Sequence, residues 1–344
     1  MKKIIFIFAA LIALTGCDGL FSSVAGVEKK SIGNPYEILL VCDDAIWETP
    51  AGTAIAEAVT KSIPGLPLPE PSFKVTRISK DKFEGVKKTF RNIIIVDING
   101  QYYSQASMKY ARNVNAVPQV ALRIQAPSIE ELESYVKDNS QSIIDFFTLI
   151  EFDRQQEILK DNYNKQAQEM INNEFGCDMK IPLGIAGYKV GENCIWFSDH
   201  NTTNRDILNF VIYSYPYTST DNFSKENFSN MRDSVLRKNV SEHMTTRRKD
   251  LSVREEDFNG HYMKSVRGLW EMDNEPWGGA FVSYSVVDEI NNRMIVVETF
   301  TSIENKDKGN IMRRLEASLR TLRLPEDKLA DNANTLPEII VEEK

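Results

Sequence analysis

Between residues 36 and 150, short continuous apolar runs alternate with segments that carry helix signals. "EILLVC" (37–42) and "NIIIVDI" (92–98) have no polar face, so each reads as a strand buried on both sides. "FKVTRI" (73–78) alternates and "QVALRIQA" (119–126) is largely apolar, giving two more strands. Thr49-Pro50 starts a helix through "AGTAIAEAVTKSI", Ser79 starts another over "KDKFEGVKKTF", and "QYYSQASMKYARN" (101–113) reads as a third. "LPLPEPSF" (66–73) carries too many prolines for a helix and reads as an extended connector.

Ser128 with Glu131 three residues on is a capping-box start. No Gly or Pro then interrupts the chain up to residue 175. Ile129, Leu132, Val136, Ile143, Phe147 and Ile150 form an apolar stripe, which Phe152, Leu159, Tyr163, Met170 and Ile171 continue. The spacing predicts one long or once-broken helix that ends at Gly176 and bridges two halves. Beyond it the rhythm becomes that of strands: "CDMKIPLGIAGYKV", "CIWFS", "RDILNFVIYSYPYT" and "HYMKSVRGLWEM". "GGAFVSYSVVDE" and "RMIVVETFTS" then form a hairpin around Asn291-Asn292. Ser224 caps a helix to about Asn239, and a last helix with Ile311, Leu315, Leu319 and Leu322 on one face stops at Pro325.

The expected fold is therefore α+β. An N-terminal α/β layer half (32–150) leads through a bridging helix (151–176) to a C-terminal antiparallel sheet with helices (177–325) and a frayed polar tail (326–344). The order of elements in the second half is similar to the Mog1/PsbP-type sandwich at the level of topology.

The first residues have another purpose. Lys2 and Lys3 precede an eleven-residue apolar run, Ile4 to Leu14, too short for the roughly 20 residues that span a bilayer. Leu14-Thr15-Gly16-Cys17 resembles the lipobox of bacterial lipoprotein precursors. The resemblance implies removal of residues 1–16 and a diacylglycerol thioether on Cys17, with residues 17–31 as a tether. The expected location is the cell envelope, at the periplasmic face or the outer membrane. Several acyl chains anchor stably, because each buried methylene contributes about 0.8 kcal/mol.

Composition narrows the function. The chain is 42% apolar and 26% charged, ordinary globular values, with a net charge of −8 that speaks against nucleic acid. His200, His243 and His261 are the only histidines, and none has metal-ligand spacing. Cys42 sits in an apolar run, whereas Cys177 and Cys194 flank strand-rich sequence and are a disulfide candidate in an oxidising compartment.

"LPLPEPSF" (66–73), "RNIIIV" (91–96), "NAVPQV" (115–120), "RGLWE" (267–271) and "WGGAF" (277–281) occur in this order. Together with the lipobox they resemble a family of Bacteroidetes lipoproteins known as a domain of unknown function. The resemblance spans the mature chain and implies an envelope location but no activity. Leu68 stands where the family form has Gln. Asp233-Ser234-Val235 also fits the short pattern of Bacteroides O-glycosylation, which makes Ser234 a candidate.

No nucleophile elbow, phosphate loop, dinucleotide fingerprint or zinc motif is present. No cofactor is expected. Two places carry candidate chemistry. Asp43, Asp44 and Asp97 stand at the carboxyl ends of two parallel-type strands, where three carboxylates can hold a divalent cation or cap helices. In "RGLWEMDNEPWGGAF", Arg267, Trp270, Glu271, Trp277, Gly278 and Gly279 combine aromatic, charged and close-approach residues suited to ligand binding. The competing reading makes Trp270 core and pairs Arg267 with Glu271 across a loop. The sequence points to a lipid-anchored, non-catalytic binder of an envelope ligand or protein, with a carboxylate-dependent hydrolase of glycans or peptides as the alternative.

Overall fold

The computed structural model describes residues 29–199, 207–303 and 306–328. Cys17 and the leader, His200, and the tail beyond residue 328 lie outside the described residues. Among the described residues no helix is long and apolar enough to cross a membrane.

The fold is α+β, with two sheets. The first is built from β1 (Glu37–Val41), a helical turn α1 (Asp44–Trp47), α2 (Pro50–Thr60), β2 (Lys74–Ile78), β3 (Asn92–Ile98), β4 (Ser107–Arg112) and β5 (Val120–Ala126). Strand order is β2-β1-β3-β5-β4, parallel except for β4, which runs antiparallel to β5. One face packs Ile38, Leu40, Ile94 and Leu122 against α2, α3 (Ile129–Asp138) and α4 (Ser140–Leu159). The other face, with Leu39, Val41, Ile93 and Ile95, is closed by Phe83 and Phe90 from a stretch of short 3-10 turns.

After α5 (Lys165–Phe175) come β6 (Gly187–Gly191), β7 (Cys194–Ser198), β8 (Ile207–Pro216), α6 (Lys225–Asn239), β9 (Met244–Thr246), β10 (Ser252–Phe258), β11 (His261–Met272), β12 (Gly278–Asp288), β13 (Arg293–Ser302) and α7 (Gly309–Leu319). The antiparallel sheet runs β10-β11-β12-β13-β8-β7-β6, with β9 on the end of β11. Period-two alternation sends Ile195, Phe197, Phe210 and Ile212 to α5 and α7, and Cys194, Val211 and Tyr213 to α6. The result is a helix–sheet–helix sandwich.

Several expectations are corrected. Residues 101–113 hold strand β4, not a helix; its edge position leaves Lys109, Tyr110 and Arg112 in solvent and blurs the alternation. Over 79–90 there are 3-10 turns only. The 128–175 helix breaks twice, at Asn139 and over 160–164, so no single bridging helix covers 151–176. The turn at Asn139 is closed by its own amide donating to Tyr135 O, and Asn164 restarts the chain by capping Ala167 N. Residues 177–186 are not strand. The tether does not reach residue 31, because Ser31 N bonds Val117 O at 3.1 Å. Nor is the tail frayed from 326: Glu326 accepts from Ile290 N, and Lys328 Nζ donates to Gly176 O.

Helix α4 packs on α2 of the first sheet and on α7 of the second. The proline-rich connector completes this junction. Glu70 accepts Lys308 N and Gly309 N, each at 2.7 Å, and so caps α7. Arg313 Nη1 donates to Ser72 O at 2.7 Å, with its guanidinium 3.5 Å over the Tyr36 ring. Arg254 makes a two-point pair with Asp145 of α4, at 3.0 and 2.6 Å.

Candidate functional site

The segment from Arg267 to Phe281 does not assemble into one cleft. Neighbouring residues of β11 face opposite sides of the sheet, so Arg267 and Trp270 part company. Arg267 pairs with Glu316 of α7, not Glu271, and Tyr284 OH shares the same carboxylate at 2.6 Å. Trp270 is 5% exposed, stands edge-on to Phe300 and donates from Nε1 to Thr301 O. Glu271 is exposed, with Arg247 at 3.8 Å. Gly278 and Gly279 meet backbone instead of a cavity: a Cβ on Gly279 would lie 1.7 Å from Thr301 O. Trp277 is 39% exposed and stands apart.

The three aspartates gather, but around a lysine. Lys80 Nζ lies 2.7 Å from Asp97 and 3.8 Å from Asp43, while Arg77 takes Asp44 at 2.7 Å. Burial pushes the Asp97 carboxyl up, yet Lys80 and Tyr103 OH outweigh it and hold it below its usual range. An ammonium therefore sits among these carboxylates, and no group of three or more His, Cys, Asp or Glu suited to a metal occurs among the described residues.

Cys177 and Cys194 are free, and the disulfide expectation is corrected. Cys177 packs with α5 and α7 on one face of the antiparallel sheet, Cys194 with α6 on the other. Burial pushes both thiols up to about 12 and that of Cys42 to about 11, which leaves no ready thiolate nucleophile among them. Ser234 is exposed in the middle of α6, and its neighbour Asp233 accepts from Thr246 and Arg248.

Four carboxylates are buried among the described residues, and each accepts from arginine. Glu151 takes Arg91 and Arg154, Asp288 takes Arg293, Glu298 takes Arg232, and Glu316 takes Arg267. No two of them line one of the described cavities. His261 pairs with Asp327 at 2.8 Å, and no hydroxyl among the described residues hydrogen-bonds to it.

The most one-sided chemistry lies along the α4–α7 junction. Glu151, Arg154, Gln155 and Ile158 follow helical spacing and share one face of α4. Opposite them stand Asn310, Ile311 and Arg314 of α7, and Asn34 to Tyr36 close the end of a cavity of about 310 Å³. Inside it, Glu151 accepts Arg91 Nη2 at 2.6 Å, Arg154 Nη1 at 2.7 Å and Asn92 Nδ2 at 2.8 Å. With Arg314, three arginines and one carboxylate thus line the recess. Gln155, Ile158 and Arg314 also line an adjoining groove of about 670 Å³, walled by Leu159, Leu183, Ile185, Leu208 and Leu315.

A larger cavity, about 780 Å³, lies at the end of the antiparallel sheet between Tyr217, Phe223 and Tyr262. Its charged groups, Asp221, His261, Lys264 and Glu289, are of mixed sign.

Sequence reasoning missed the junction. The polar stripe of α4 was visible at 151, 154 and 155, but its meaning depends on Arg91 and Arg314, distant in sequence. No local motif joins them.

Residues 31–160 match the model of a family described as Domain of unknown function (DUF8532), and residues 164–321 match that of a second, Domain of unknown function (DUF4837). No curated protein matches the chain. Among solved structures, one from Bacteroides thetaiotaomicron is similar over 43% of this chain, at 11% identity and a TM-score of 0.24; the match spans 44% of that chain. A point mutant of protein Mog1 is similar over 44% of this chain and 93% of its own, at 8% identity and a TM-score of 0.30. The Saccharomyces cerevisiae Ran-binding protein Mog1p matches over 44% and 92%, also at 8% and 0.30.

Proposed function

We propose that this chain is a lipid-anchored cell-envelope protein, akin to the Bacteroidetes lipoproteins its phrases resemble, that binds a ligand at the α4–α7 junction without transforming it. The location rests on Leu14-Thr15-Gly16-Cys17. The binding reading rests on one observation: a recess with walls from both sheets' units holds three arginines and one carboxylate. Binding there engages both units at once.

The hydrolase alternative asks for a pair of buried carboxylates on one cleft, one of them raised to act as acid. The buried carboxylates described here are spent on arginines. We therefore favour binding.

Two measurements test the reading. Palmitate labelling is expected to disappear with Cys17→Ala, and labelling that persists rejects the anchor. A melting-temperature screen of small anions, saccharides and peptides is expected to give a stabilising ligand whose effect is lost in Arg314→Glu. Recovery of that ligand as a cleaved product, by mass spectrometry, rejects a non-catalytic role.

A further inference from the structure

The junction is electrostatically incomplete as it stands. Arg91 and Arg154 both spend their guanidinium groups on Glu151, so one negative charge answers two positive ones. Arg314, on the same cavity, is exposed and has no ion pair among the described residues. Behind the Tyr36 wall lies Arg313, 4% exposed, whose Nε has no hydrogen-bond partner. Burial pushes the Arg313 guanidinium down to about 10, and Arg267 nearby pushes the same way, against Tyr36 and Glu316. Burial also lowers Arg154, with Arg91 adding to the fall against Glu151. Like charges crowded at low dielectric repel one another and favour a counter-anion.

The adjoining groove is incomplete in the opposite sense. Ile158 and Leu183 stand 54% and 65% exposed on it, above the apolar floor of Ile185, Leu208 and Leu315. Among the described residues that line the groove, Asp199 is the one acid, and its Oδ1 already accepts Leu208 N. Cationic recess and apolar groove meet at Gln155, Ile158 and Arg314, which line both. The chain as a whole is acidic, at a net charge of −8, so positive charge in a recess selects a molecule over a flat anionic bilayer.

We infer that recess and groove form one site for a single-chain amphiphilic anion, an acyl chain ending in a carboxylate or phosphate. The head lies against Arg314 and the Arg91–Arg154 pair, and the chain runs along Ile158 and Leu183. This inference rests on the binding reading above and names its ligand. Asn310 contributes as well: its Oδ1 accepts Arg313 Nη2, which leaves its amide hydrogens for the head group. Each methylene of the chain is worth roughly fourfold in affinity where it is fully buried.

Calorimetric titration of the whole chain with dodecanoate and with dodecyl phosphate, each below its micelle concentration, tests this. One anion is expected to bind per chain, and the tighter arm tells a carboxylate from a phosphate head. Octanoate is expected to bind at least tenfold more weakly than dodecanoate. Dodecyl maltoside, which has the chain without the charge, and inorganic phosphate, which has the charge without the chain, are each expected to lose at least tenfold. Arg314→Glu and Leu183→Asp alter exposed side chains and should keep the wild-type melting temperature while weakening the anion at least tenfold. Binding of neither amphiphile, equal binding of inorganic phosphate, or unaltered binding in Arg314→Glu overturns the inference. If the amphiphiles fail while another ligand stabilises the wild type and not Arg314→Glu, the binding reading stands and only this ligand class falls.

Discussion

Trp270 and Trp277 lie seven residues apart and do opposite work. Trp270 is 5% exposed between Phe300 and the Thr301 carbonyl, whereas Trp277 is 39% exposed. Trp270→Ala is expected to cost about 3–5 kcal/mol through the cavity it leaves, and Trp277→Ala about 0.5 kcal/mol or less, both read from urea unfolding. Arg232 and Glu298 are a second test. Both are fully buried, and the guanidinium lies 4.0 Å over Phe281. Removing one partner strands the other charge, so Glu298→Ala should cost about 3–5 kcal/mol. The double variant Arg232→Met with Glu298→Leu should cost less than that single change. Asp97 gives a pH signature. Its folded-state carboxyl is depressed by Lys80 and Tyr103 against the effect of burial, so its contribution is present above the unfolded value near 3.9 and is lost as pH falls through the folded one. The melting-temperature gap between wild type and Lys80→Met is thus expected to be wide at pH 7 and to shrink toward pH 2.

At the scale of elements, Glu70 is the sharpest test. It accepts both leading amides of α7 from the other side of the junction. Its loss in Glu70→Ala removes a cap and a charge at the positive end of the helix, about 1–2 kcal/mol in thermal unfolding. Elements with local chemistry were legible in the sequence: Ser128 and Ser224 accept from Glu131 N and Asn227 N, Gly176 ends α5, and Asn291-Asn292 turns the last hairpin. Elements whose state is decided by neighbours were not. "SMKYAR" carries no strong strand pattern and becomes β4 because β5 offers it an edge. The break at Asn139 has no Gly or Pro to announce it; there α3, packed on β5, gives way to α4, which must also meet α7. At the candidate site the same division holds. The anionic trio of Asp43, Asp44 and Asp97 was visible, but not Lys80, which the 3-10 turn after β2 delivers between two of them. "LPLPEPSF" and "RGLWE" stood out as phrases, and the fold explains them: Leu66 packs with the core beneath α7, and Gly65 lies against the backbone of Arg267 and Gly268.

For the whole molecule, the junction should bind the two sheets into one cooperative unit. The Glu70 cap, the Arg313 hydrogen bond to Ser72 O and the Arg254–Asp145 pair all cross it. Calorimetry is expected to give one transition with equal calorimetric and van 't Hoff enthalpies, whereas two resolved transitions would mean that the sheets melt apart. The Glu70 cap also has a bearing on time. Its acceptor lies 238 residues ahead of Lys308, so a growing chain exposes the carboxylate long before the helix it caps exists. The first sheet is made first and can pack early, yet Glu70 and the Ser72 carbonyl wait with nothing but water to satisfy them. The last helix to be synthesised meets a surface already shaped to receive its first turn. A chain cut short before residue 308 leaves its oldest part unfinished as well as its newest, and a protease that inspects young proteins would find the fault at both ends.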